Sequence, residues 1–155
     1  MTLAPAALFG PPAARDALRR QADAYVERAV VTMVRARALV ENDRVAAVRL
    51  LTDRRHVLGD HLGRYQRFKH GMIFDPVVRY GPASSKVVAR TMKVDCLELG
   101  EVFGAYNTRW RDLRAADWPA YRRDMLATVD MMTTNLHAEL RAIRQLLMIS
   151  DLYAG

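Results

Sequence analysis

Apolar positions recur at spacings of three and four through most of the chain, and no stretch alternates long enough to specify a strand. Leu18, Ala22, Tyr25, Ala29, Met33, Ala36 and Val40 form the first such line and predict a helix from about Ala13 to Glu41. Asn42-Asp43 then supplies a turn and an N-cap. A second helix is predicted from about Arg44 to Val78, with Leu51, Leu58, Leu62, Tyr65, Phe68 and Met72 on one side. A third starts after Ser84-Ser85, either of which can cap it, and carries Val88, Met92, Leu99, Val102, Tyr106 and Leu113. The fourth starts near Asp117 with Pro119 in its first turn, and its stripe is Met125, Val129, Met132, Leu136, Leu140, Ile143 and Leu147. Prolines punctuate the pattern at Pro11-Pro12, Asp75-Pro76, Gly81-Pro82 and Trp118-Pro119. Four amphipathic helices of similar length, joined by short connections, bury their stripes best as an all-α, up-down-up-down four-helix bundle. The expected domain spans residues 13–150, with a flexible leader over 1–12 and a tail over 151–155.

Composition narrows this picture. At 155 residues and 51% hydrophobic, the chain can bury a core of its own. One cysteine, Cys96, permits no internal disulfide. No apolar run reaches the roughly 18–20 residues of a membrane helix, and the start has no basic n-region, so a cytoplasmic location is expected. The net charge of +7 is uneven: residues 44–93 hold 11 basic and 3 acidic groups. Such a stretch could face nucleic acid. Against that, the chain has neither a helix-turn-helix pattern nor an aromatic-interleaved stripe of basic residues. Arg44, Arg49, Arg54, Arg55, Arg64 and Arg67 are therefore expected to solvate the outer face of the second helix.

Polar residues on apolar seams are the informative anomalies. Lys69 lies between Tyr65 and Met72, Asp95 between Met92 and Leu99, and Asn135 and Glu139 beside Met132 and Ile143. A buried charge is costly unless paired. A core network of Lys69, Tyr65, Asp95, Asn135 and Glu139 is therefore expected, with Lys69 facing Asp95, Glu139 or both. The competing arrangement sends Lys69 to solvent. Of the four histidines, only His61 is near the core stripe, as a hydrogen-bonded structural residue; His56 with Asp60 is a weak two-ligand pair. Gly59 with Gly63, and Gly100 with Gly104, are small-xxx-small pairs whose helix cost calls for close backbone approach. Together with His56 they mark an expected surface for a second copy or another protein.

The segments LGRYQRFKHGMIFDPVV (Leu62 to Val78) and NLHAELRAIRQLL (Asn135 to Leu147) resemble the second helix and the end of the fourth in the hemerythrin-like (HHE cation-binding) family. Ile73-Phe74-Asp75-Pro76 stands where that second helix closes, and a long third helix with Tyr106 and Trp110 fits as well. The resemblance spans about residues 13–150 and implies the four-helix frame. Iron-binding members draw several histidines and a pair of carboxylates from all four helices. Aligned on Phe74, this chain has Tyr65 in place of a histidine and Lys69 in place of the bridging glutamate, while Asn135 and Leu140 fall at ligand positions of the last helix. The resemblance thus implies the fold and argues against the family's oxygen chemistry.

Three functions follow as expectations. The first is a metal-free, non-enzymatic interaction or regulatory module, working as a homodimer or with a protein partner. The second is an iron or oxygen binder with atypical ligands, drawn from His61, Tyr65, Asp95 and Glu139. The third is a histidine phosphotransfer bundle using His56, although Gly59 and Asp60 stand where such motifs carry a lysine and a glycine. No Gly-rich phosphate loop, activated nucleophile motif or HExxH zinc motif supports an enzyme.

Overall fold

The computed structural model describes residues 8–152, with side chains through residue 149. The described chain is all-helical, with four main helices and no strand. Helix α1 is Pro12–Glu41; α2 is Val48–Lys69, continued by a π-turn over His70–Phe74 and by α3, Asp75–Tyr80; α4 is Ala83–Arg109; α5 is Trp118–Leu152. Short 3-10 turns, Val45–Ala47 and Ala115–Asp117, lead into α2 and α5. Helix α1 packs on α5 and α2, while α4 packs on the π-turn, α3 and α5.

The stripes of α1 and α5 face inward as their spacing predicts: every apolar position named for the fourth helix is buried, from Met125 to Leu147. Each such side chain contributes roughly 1.5–3 kcal/mol on leaving water. Two stripes are corrected. In the second, Met72 is exposed while Ile73, Phe74 and Val77 are buried. The π-turn adds a residue to the rod and so rotates everything after it by about one residue's arc. Pro76 accounts for the turn: proline offers no N–H and crowds the carbonyl four residues back, and a widened turn relieves both while the helix continues. In α4, Val88 and Val102 are exposed, and the buried line runs through Ser85, Ala89, Met92, Cys96 and Tyr106.

The ends also depart from expectation. Residues 1–7 lie outside the described part, but Phe9 is buried in the core, so the last part of the expected leader is packed. Helix α5 continues to Leu152, into the expected tail, whose last three residues lie outside the described part. Ser84 and Ser85 sit inside α4 and cap nothing; Pro82 holds the N-cap position. Asp43 takes a left-handed φ of 50°, as asparagine and aspartate tolerate best after a helix end. Its carboxylate accepts a hydrogen bond from Trp118 Nε1 and forms an ion pair with Arg122, which fastens that turn to the start of α5.

Candidate functional site

Lys69, at the end of α2, is 4% exposed. Its Nζ donates to Glu139 Oε1 at 2.6 Å and contacts Cys96 Sγ at 3.3 Å. It also stands 4.1 Å from the centroid of the Tyr65 ring, within cation–π range. An ammonium on α2 thus meets a carboxylate from α5, a thiol from α4 and an aromatic face one turn back on its own helix. The carboxylate of Glu139 is itself largely buried, with a side-chain exposure of 13%.

Each neighbour is held in place. Tyr65 stacks on Tyr25 of α1, which also contacts the rings of His61 and Phe68. His61 is buried, and its Nε2 pairs with the Tyr25 carbonyl at 2.8 Å, the structural role expected for it. The Tyr65 hydroxyl is buried without a hydrogen-bond partner. Burial, and then the Glu139 charge beside it, pushes that phenol far up, so it stays protonated. Burial also raises the Cys96 thiol, an effect the Lys69 ammonium partly offsets.

Two residues expected in this network are outside it. Asp95 is exposed, and Asn135 is exposed and donates back to the Met131 carbonyl at 2.8 Å. The buried line of α4 runs through Cys96, which turns its neighbour Asp95 outward; on α5 it runs through Met132, Leu136 and Leu140, which does the same to Asn135. Both nevertheless line a hollow of about 150 Å³ between α4 and α5 that reaches Cys96 and Glu139.

The four glycines lie together, but not as a tight helix contact. Gly59 and Gly63 of α2 and Gly100 and Gly104 of α4 border a cleft of about 210 Å³ whose lining includes Tyr65, Lys69 and Cys96. A Cβ on Gly104 would meet nothing within 4 Å, and one on Gly59 would make ordinary contacts with the Phe103 ring at 3.5 Å and Asn107 Nδ2 at 4.0 Å. Their missing side chains leave a passage to the ammonium. His56, with Asp60, is exposed on the outside of α2.

Arg55 is a further correction. It is 7% exposed rather than solvated, and its Nη2 donates to the Trp110 carbonyl at 2.7 Å, at the C-terminal end of α4. A cation there complements the negative end of the helix dipole. Asp124 completes that end of the molecule by accepting from Trp110 Nε1 at 2.7 Å and pairing with Arg109. The sequence carried a signal for Arg55: it is four residues after Leu51 and three before Leu58, inside the stripe. Among the described residues, no three histidine, cysteine, aspartate or glutamate side chains come together as a metal-holding group, and no helix is long and apolar enough to cross a membrane. No protein-family model matches this chain, and no curated protein or solved structure is significantly similar to it.

Proposed function

We propose that the protein is a metal-free, non-enzymatic helical bundle that acts as a binding or regulatory module, with a hemerythrin-like up-down-up-down frame. Pairs that link the helices support the frame. Asp23 meets Arg144 while Arg37 meets Asp130, and Arg55 reaches Trp110 while Lys69 reaches Cys96. In both cases the later position on one helix meets the earlier position on the next. The observation that carries the functional reading is the buried Lys69–Glu139 pair at 2.6 Å. The resemblance would place metal ions here, and the donors do not suit them: the carboxylate is engaged by an ammonium, the thiol touches the same ammonium, and the phenol stays protonated. His61, named for the iron-binding alternative, is engaged with the Tyr25 carbonyl, and Asp95 is exposed.

The working face is the α2–α4 side, where the glycine-walled cleft opens. Val87, Val94, Leu97 and Val102 are exposed along α4 and support a second copy of the chain as partner. Metal analysis and light scattering on the same natively purified sample test the proposal. The expected result is less than a tenth of an equivalent of iron, no visible absorbance after anaerobic ferrous loading, and a mass of twice 17.6 kDa. Stoichiometric iron would refute the metal-free reading, and a single-chain mass at high concentration would refute the dimer.

A further inference from the structure

We infer that Lys69 and Cys96 form a redox switch, in which a peroxide oxidises the Cys96 sulfur and the Lys69 amine then bonds to it, tying α2 to α4. This rests on the reading of Lys69 as the resident cation of the site, since a coordinated metal would displace it.

Four observations carry the inference. The nitrogen and sulfur are already 3.3 Å apart, on two helices held by the surrounding core. Cys96 is the chain's one cysteine, so a sulfenic acid formed there has no thiol of its own chain to resolve it, and the adjacent nucleophile is the amine. The glycine-walled cleft of about 210 Å³ reaches both atoms' residues and could admit a molecule little larger than water. The Tyr65 hydroxyl, buried and without a hydrogen-bond partner on a residue lining that cleft, is a free donor for a small oxygen-bearing guest.

The chemistry balances in two steps. The Cys96 sulfur attacks one oxygen of hydrogen peroxide; the S–O bond forms, the O–O bond breaks, and the thiol proton leaves with the departing hydroxide as water. Sulfur is oxidised by two electrons and the peroxide is reduced. Glu139 then takes one proton from the Lys69 ammonium, 2.6 Å away. The freed amine attacks sulfur; the S–N bond forms and the S–O bond breaks. The hydroxide released takes a second proton from nitrogen and leaves as water. The product is a sulfenamide, with Glu139 now a neutral acid. Two equivalents of an external thiol return the lysine and cysteine and become a disulfide.

The test treats the full chain with hydrogen peroxide and reads intact mass and tryptic peptides. The expected result is a loss of about 2 Da and a cross-linked peptide joining Lys69 to Cys96, both reversed by dithiothreitol. Lys69→Arg keeps a cation for Glu139 but offers no simple amine, and it should abolish the link; so should Cys96→Ser. Glu139→Gln removes the base that frees the Lys69 amine and should slow conversion of the sulfenic acid to the link by about 10²-fold. Cys96 carried to sulfinic or sulfonic acid beside an unmodified Lys69 would overturn the inference, as would a link that persists in Lys69→Arg. Metal content of the same sample separates the two claims: a metal-free protein that never cross-links defeats the switch alone, whereas stoichiometric iron defeats the reading on which it rests.

Discussion

At the scale of single residues, the ion pair of Lys69 and Glu139 is stabilising only while both partners are present. Removing water from two charges costs several kcal/mol each, and their attraction repays this when the geometry is close. Lys69→Met would leave Glu139 largely buried and uncompensated. We expect a loss of about 3–5 kcal/mol in urea unfolding, most of it recovered in Lys69→Met/Glu139→Leu. His70, next in sequence, gives a pH signature. Its Nε2 is buried without a partner, and burial, then the charges of Lys69 and Lys93, hold its pKa below the ordinary histidine value, against a smaller opposing pull from Asp75. A histidine depressed in the fold favours the neutral form, so its stabilisation is complete above about pH 6.5 and falls as the pH drops below that. The urea midpoint should therefore fall between pH 7 and pH 5.5, and less so in His70→Gln. Lys69, Tyr65 and Glu139 could be read from the sequence because charge and hydroxyl stood on apolar seams. Cys96 could not be read as their partner, because a search for opposite charge selects Asp95, one position away and facing solvent.

At the scale of elements, periodicity was readable wherever a helix keeps a single phase. The stripes of α1 and α5 do so, and their apolar lines are buried or partly buried. The rod from Val48 to Tyr80 does not, because Pro76 is accommodated by a π-turn rather than by an end to the helix. A strict 3.6-residue count therefore places Met72 inside, when it is 53% exposed. Helix α4 misleads differently: small residues, Ser85, Ala89 and Cys96, occupy its inner line, while valines stand outside, so the larger apolar side chains mark the wrong face. Glycines separate into two kinds. Gly104 faces open space and should accept alanine with a gain of about 1 kcal/mol from helix propensity. A Cβ on Gly81 would lie 2.6 Å from the Val77 carbonyl oxygen, so Gly81→Ala should destabilise the junction between α3 and α4. Chemical unfolding of the two variants side by side checks both signs.

At the scale of the molecule, the excess positive charge lies mostly on the surface: Arg44, Arg49, Arg54, Arg64 and Arg67 are exposed, as their solvating role requires, while Arg55 alone of that group is buried. The all-helical architecture was legible from the sequence because turn residues and stripes agreed. The cleft was not, since glycine pairs in a sequence indicate missing side chains without saying whether backbones close the gap. Two hollows, one between α2 and α4 and one between α4 and α5, both have Cys96 in their walls. At that level the Cys96 and Leu99 side chains of α4 belong to both walls. A bulkier residue at position 96 would narrow the chambers on both flanks together, and a smaller one would bring them closer to a single tunnel.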